Sequence, residues 1–423
     1  MKPTDSASNK PNLFRRTFSS IILYRNYRLL WMGSWTEHMG EWMETTALLW
    51  LLNQMTGSPL MGTLMMALRS IPTVIFAFIG GIVADRMNRR TLLMISLLAS
   101  AAISSATAFL VYMGLIQPWH ILVNGTLAGI VTSFNHPARH TLVPNMVKKD
   151  HLMNAVTLDS GSVTASRIIG SPLAGFIMAF AGGTTPVLGL KAVGALLAIV
   201  WLSFINAPDT PSESKKKSPL ANFVQGMHYV GGHRDVLTQI LLYLLPYFVT
   251  NTYTGMLPYF ATDVLHVGPE LYGFLNAAPG VGALSATLIL ASRVNLKRKA
   301  LVLLIGGICQ GAALVLFAIS PIYVLSLCLL VLVGASNTIF MSLNNTVIQE
   351  LIPDQMRGRV MSLREVVAGI GPGGSIISGN IAESLGGPVA LSLAGGFSIL
   401  VLLSILLFTA KGKRGPSANP QST

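Results

Sequence analysis

Twelve windows of about 20 mostly apolar residues recur along this chain, near 29–52, 60–83, 91–114, 119–140, 153–180, 186–206, 236–261, 271–292, 300–319, 322–345, 360–382 and 388–410. Each has the length at which a helix crosses a hydrocarbon core of about 30 Å, whereas a membrane strand needs only about 10 residues. The fold class that follows is an all-α membrane protein with twelve transmembrane helices. Composition agrees: 52% of residues are hydrophobic and 11% charged, against about 25% charged in soluble domains. A net charge of +13 points to nucleic acid only if the basic residues gather on one folded surface. Here they sit in short loops between apolar spans, so the expected partners are the lipid bilayer and a small molecule, with no nucleic acid.

The loop charges set a direction. Of the 29 lysines and arginines, all but Arg69, Arg167 and Lys191 fall at alternate loops or at the termini, and the remaining loops, near Thr56, Gln117, Gly183, His266, Ser320 and Gly386, hold none. Lys and Arg favour the cytoplasmic side, so both termini are expected inside. No apolar segment precedes Ile21, which argues against a cleaved leader. Cys309 and Cys328 both lie in apolar runs and offer neither a disulfide framework nor a metal-ligand spacing.

The longest polar stretch, Asn206 to Asp235, divides the chain near its middle and contains the run Ser214-Lys215-Lys216-Lys217. Its Pro/Ser/Lys part reads as a flexible linker, and Leu220 to Tyr229 as a short helix on the membrane surface. The parts on either side resemble each other: Asn135 to Pro144 lines up with Asn344 to Pro353, Arg86-Met-Asn88 with Arg293-Val-Asn295, and Pro172 with Pro372. Two six-span halves in parallel repeat follow, the plan of major facilitator transporters, with the site at the midplane between them. The expected divisions are an N-terminal segment 1–28, a first half 29–206, a linker 207–235, a second half 236–410 and a tail 411–423. The tail reads as disordered by composition.

Span one is apolar enough to cross a bilayer yet carries Glu37, His38, Glu41 and Glu44. Charges at membrane depth are costly and mark function by default. At about 100° per residue the three glutamates share a sector with Gly33 and Gly40, opposite Trp31, Trp35 and Trp42. Glu41 lies near mid-depth, Arg69 reaches a similar level, and Asp159 and Arg167 occupy span five. Such charges must pair or line a wet cavity. A carboxylate whose desolvation is opposed by a nearby cation is suited to exchanging protons, so Glu41 is the first proton-coupling candidate, with Glu37 and Asp159 next and Arg69 and Arg167 as partners. His38 can relay a proton, but with no second His or Cys on its span packing is the simpler reading. Glu44 reads equally as a solvated or snorkelling side chain near the outer mouth and as a functional acid, and Lys191 as a snorkelling side chain.

Between spans two and three stands Gly80-Gly81-Ile-Val-Ala-Asp85-Arg86-Met-Asn-Arg89-Arg90, which closely resembles the loop signature of the major facilitator family. Arg25-Asn-Tyr-Arg-Leu-Leu-Trp31, Leu52-Asn-Gln-Met-Thr-Gly-Ser58, Pro137-Ala-Arg139, Arg167-Ile-Ile-Gly-Ser-Pro172 and Pro353-Asp354-Gln-Met-Arg357-Gly-Arg359 are similar to the branch holding bacterial siderophore exporters and macrolide-type efflux pumps. That resemblance implies a cytoplasmic gate at Gly81, Asp85, Arg86, Arg89, Arg90, Asp354, Arg357 and Arg359, and location in a bacterial inner membrane. Acids at both Glu37 and Glu44 depart from what the branch usually carries. In span seven, Tyr247, Asn251 and Tyr253, with Asn337 of span ten, offer stacking and hydrogen bonds to a bulky amphiphile.

No phosphate-binding loop or nucleophile with an adjacent base is present, so the chain reads as a transporter rather than an enzyme. It is expected to act as a monomer with no cofactor, driven by a proton gradient and exporting a siderophore or drug-like compound by antiport. The alternatives are an importer or lysolipid flippase of the same fold, and a membrane receptor that binds without transporting.

Overall fold

A computed structural model describes residues 17–205, 219–292, 298–368 and 371–412. These are helical nearly throughout, with no strand among them. A short lead-in, α1 (Ser19–Leu23), precedes α2 (Arg25–Thr56), α3 (Pro59–Arg86), α4 (Arg89–Tyr112), α5 (Pro118–Met146), α6 (Lys149–Phe180) and α7 (Thr184–Ser203). Then come α8 (Pro219–Gly232), α9 (Arg234–Tyr259) with a π-helical turn at Phe260–Val264, α10 (Pro269–Ser292), α11 (Lys299–Ile319) and α12 (Tyr323–Leu351). The chain closes with α13 (Asp354–Ala368), α14 (Gly371–Leu385) and α15 (Gly387–Gly412).

Local chemistry ends and restarts these helices. After Thr56, Gly57 takes φ +61 and its N–H donates to the Asn53 carbonyl at 2.7 Å, the left-handed cap that a residue without Cβ adopts freely. Ser58 then caps α3 by accepting from the Met61 N–H, with Pro59 in the first turn, where its missing donor costs nothing. Asn88 does the same for α4, accepting from Thr91 at 2.9 Å.

Seven helices are long and apolar enough to cross a membrane among the described residues: α4, α6, α7, α10, α11, α12 and the Gly387–Ile405 part of α15. Helix α2, 32 residues long, stands outside that set because three glutamates lie in its middle. Ile95, Leu98, Leu288, Ile289 and Leu400 are exposed. In water such a belt would be an aggregation liability; facing lipid, it is ordinary solvent contact.

Helices α2 to α7 pack on one another, α2 against α6 and α7, α3 against α5, and α4 against α5 and α7. A second group forms from α9 to α15, with α12 against α10 and α11 and α15 against α11 and α14. The groups meet where α6 packs on α10 and α3 on α9 and α14. These contacts are unevenly distributed along the helices. At the ends far from the basic loops one apolar cluster mixes Met43, Trp50 and Ala174 with Tyr253, Tyr272 and Phe317, and Trp50 stacks on Tyr272 at 5.3 Å. There Asn53 donates to Thr262 at 3.0 Å and Ser58 to Glu383 at 2.6 Å. At the opposite ends the clusters are separate, Tyr27, Leu93 and Leu142 in one group and Val230, Ile348 and Val360 in the other. Among the described residues, no apolar cluster or hydrogen bond joins the groups there.

Several sequence boundaries shift. Helices α5 and α12 run to Met146 and Leu351, past the expected ends near 140 and 345, so Arg139, read as a loop cation, is helical and buried. The surface helix expected at 220–229 forms as α8, and it packs against α13: a Cβ at Gly226 would lie 2.8 Å from the Arg359 carbonyl. The expected span 360–382 is shared between α13 and α14, and residues 369 and 370 lie outside the description.

Candidate functional site

The amphipathic split of α2 decides where its acids point. On its aromatic side Trp31 donates to the Leu158 carbonyl of α6 at 3.1 Å and Trp42 lies under the Arg167 guanidinium at 4.6 Å. The acidic side therefore turns away from α6, toward α3, α4, α5 and α7. Glu37, Glu41 and Glu44 line one cavity together with Arg69 of α3, Asn135 and His136 of α5, and Lys191 of α7. All of the residues around it come from α2 to α7.

A continuous polar chain runs through this site. Asn135 donates to Glu37 at 3.1 Å, and Arg139 holds the same carboxylate with Nη2 at 2.5 Å. The other Arg139 terminal nitrogen lies 2.6 Å from His38 Nε2. Arginine carries only donors, so Nε2 must accept, and the ring proton then sits on Nδ1. That nitrogen faces Glu41 at 3.5 Å, and the second Glu41 oxygen forms an ion pair with Arg69. Helices α2, α3 and α5 thus match each of these two acids to a basic partner, Glu37 to Arg139 and Glu41 to Arg69, the arrangement that makes charge at membrane depth tolerable.

Glu44, one turn on in the same cavity, has partners of its own. Ser104 donates to it at 2.7 Å and Asn124 at 3.4 Å. It is buried, so its expected place at a solvated outer mouth is corrected: α4 and α5 close over it. Lys191 is likewise only 3% exposed and does not snorkel, because its stem lies across Gly40, where a Cβ would sit 2.7 Å from Lys191 Cδ.

Other expected members are elsewhere. Arg167 does not face the acids: its Nε donates to the Asn276 carbonyl of α10 at 2.9 Å and Nη2 to the Asn276 side chain at 3.3 Å. Asn276 in turn donates to Thr46 at 2.9 Å, so Arg167 ties α6 and α2 to α10. Asp159 is buried on α6, and among the described hydrogen bonds and ion pairs its carboxylate does not join the network. Tyr253 is packed among Met256, Leu257 and Phe260, which makes it core rather than an open ligand surface. Asn337 accepts from Gln310 at 3.2 Å. The side chains of Tyr247 and Asn251, and of Asp85 and Arg86 with Gly81, lie outside the described residues.

At the basic loops, Arg89 is buried and donates to the Thr141 carbonyl at 3.2 Å, and Arg90 to that of Ser203 at 2.6 Å. Asp354 pairs with Arg357 at 2.6 Å within α13, and Arg359 reaches Met356 Sδ at 3.1 Å. These contacts stay within one group of helices or within α13 itself.

Arg139, Asn135 and His136 were not anticipated. Arg139 had a signal, since it stands four residues after Asn135 and would share its helix face, but only if the helix continued past residue 140. No group of three or more His, Cys, Asp or Glu among the described residues could hold a metal ion.

Comparisons with known proteins agree with this architecture. The family described as transmembrane secretion effector matches residues 19–420. A staphyloferrin A transporter of Staphylococcus aureus (strain NCTC 8325 / PS 47) is 22% identical over 90% of this chain and 96% of its own length. The macrolide efflux protein A of Streptococcus pyogenes is 20% identical over 86% of this chain and 92% of its own. The enterobactin exporter EntS of Escherichia coli (strain SMS-3-5 / SECEC) is 26% identical over 82% of each. Among solved structures, a peptide transporter POT superposes with a TM-score of 0.74 at 11% identity, covering 92% of this chain and 95% of that one. The nucleoside transporter NupG gives 0.73 at 12%, covering 90% and 99%. At these identities the structures speak for the fold alone.

Proposed function

The chain belongs to the transmembrane secretion effector family of major facilitator transporters, and on that premise we propose that it is a secondary exporter of a bulky amphiphilic small molecule, a siderophore or drug-like compound, driven by proton antiport. Efflux and export are the activities in the names of the macrolide and enterobactin relatives, and export comes to this chain as a reading. In that reading twelve helices form two six-helix halves, 29–206 and 236–410, joined by the linker 207–235, with both termini in the cytoplasm of a bacterium. The halves rock about their contact, as in alternating access. With the basic loops inside, the sealed end is the outer one and the molecule faces inward. Opening outward breaks the Arg167–Asn276 junction, and inner closure brings together the gate at Gly81, Asp85, Arg86, Arg89, Arg90, Asp354, Arg357 and Arg359.

One observation carries the proton part: Glu41 is held between Arg69 and a histidine N–H in a cavity with about 20 Å³ open to the centre of a water molecule. That is room for one or two waters, and far below the 300 Å³ or so at which drug-sized ligand pockets begin. The acids therefore serve protons, and the bulky substrate passes between the halves. Protonating Glu41 removes the counter-charge of Arg69 on α3, the helix that touches both α9 and α14, and so links proton uptake to the contact between halves. His38 supplies the relay, with Glu37 and Arg139 fixing its tautomer.

The test is substrate-induced proton movement in inverted vesicles, with a macrolide and a siderophore as probes. Wild type should release and take up protons with substrate, and Glu41→Gln should lose that coupling by at least about tenfold, as for loss of a positioned proton carrier. Unchanged coupling in the variant removes Glu41 from the mechanism. Binding without flux would favour a receptor, and lipid movement without export of either probe a flippase.

A further inference from the structure

We propose that the buried cavity of α2 to α7 also binds a small monovalent anion of halide size, held by Lys191 and Arg69 and taken up together with the proton on Glu41. Lys191 is 3% exposed and lines the cavity, yet among the described residues it has no hydrogen bond or ion pair. A buried ammonium with no partner is costly, and its neighbour shares the deficit: Arg69 Nη1 is buried with no hydrogen-bond partner. Lys191 therefore turns an unpaired ammonium toward one water-sized space, and Arg69, which lines the same space, adds a second positive charge beside it.

The charges facing Lys191 define when an anion fits. From α2 come Glu37, Glu41 and Glu44 with His38; from α3, Arg69; from α5, His136, with Arg139 behind it. Ser100 of α4 contributes no charge. With both histidines neutral, three carboxylates balance Arg69, Arg139 and Lys191. Glu37 is matched by Arg139 and Glu44 by neutral donors, which leaves Glu41 as the counter-charge that Arg69 and Lys191 share. A proton on Glu41 leaves the site with one excess positive charge, and one small anion restores neutrality. The space admits a halide in place of a water, and a siderophore- or drug-sized anion exceeds it. Gly40 is part of the design, since a methyl there would collide with the Lys191 stem.

This site rests on the reading of Glu41 as the proton site, but not on transport: binding needs the proton on Glu41 and no gradient. Equilibrium binding of radiolabelled chloride to purified protein in detergent, with gluconate as the other anion, tests it without any gradient. Saturable single-site binding is expected at acidic pH, weakening about tenfold per pH unit as one linked proton requires. Lys191→Met should remove it, Lys191→Arg should keep it, bromide should compete and sulfate should not. Glu41→Gln should bind chloride independently of pH. No saturable binding in monodisperse wild type, or equal binding in Lys191→Met, overturns the proposal. Chloride binding that persists while proton–substrate coupling is absent overturns only the antiport reading.

Discussion

At Arg139 a guanidinium with donors alone meets Glu37 through one nitrogen and His38 through another, so truncating it strands a buried carboxylate and releases the histidine tautomer. Breaking a buried pair from one side costs about 3–5 kcal/mol, and Arg139→Ala should lower the unfolding temperature in detergent substantially. Glu44→Gln is the contrast. Its carboxylate is met by Ser104 and Asn124, which are neutral donors, and the amide keeps an oxygen to accept from them. The expected loss is within about 1 kcal/mol; a drop as large as that of Arg139→Ala would mean Glu44 is paired with a cation. Glu37 and Glu41 were visible in the sequence because an acid in an apolar span has no neutral explanation. Arg69 was visible by its matching depth, but Lys191 and Arg139 were not: a lysine near a span end snorkels as readily as it buries, and an arginine near a helix end reads as a loop.

At the scale of single helices, close approach of α3 and α9 holds one end of the molecule shut. A Cβ at Gly255 would lie 2.7 Å from the Thr63 nitrogen and Cα, a distance no backbone contact tolerates. Gly255→Leu should force these helices apart there. The readout is the reaction rate of a cysteine at Asn53, in a Cys309→Ser, Cys328→Ser background, with a small thiol reagent: the substitution should speed it severalfold, and an unchanged rate would show that the contact does not limit access. The apolar face of α2 was legible as a helix face from its periodicity. Which neighbour each face meets was not, because Trp42 could as well have packed on lipid as under Arg167.

For the whole molecule, the apolar clusters among the described residues are separate at the ends carrying the basic loops and merge into one at the other. The proposed orientation rests on loop charge, and it is testable at two exposed positions. Gln117→Cys, in a loop without Lys or Arg, should react with an impermeant maleimide in intact cells, and Lys148→Cys only after permeabilisation. The reverse pattern would invert the molecule and turn its open side outward.

Length and polarity are properties of a segment alone, so apolar windows of bilayer length and acids in span one were enough to specify a helical membrane protein and to mark Glu41 as a candidate, while the transporter reading came from the resemblance carried by Gly80 to Arg90 and its companion motifs. Pairing is a property of two segments in space. The Arg139–Glu37 bridge, the placement of Arg167 on Asn276 instead of on the acids, the burial of Lys191 across Gly40 and the size of the cavity all depend on helix rotation and on where helices end. Those are set by packing between segments far apart in the chain, and only the tertiary structure decides them.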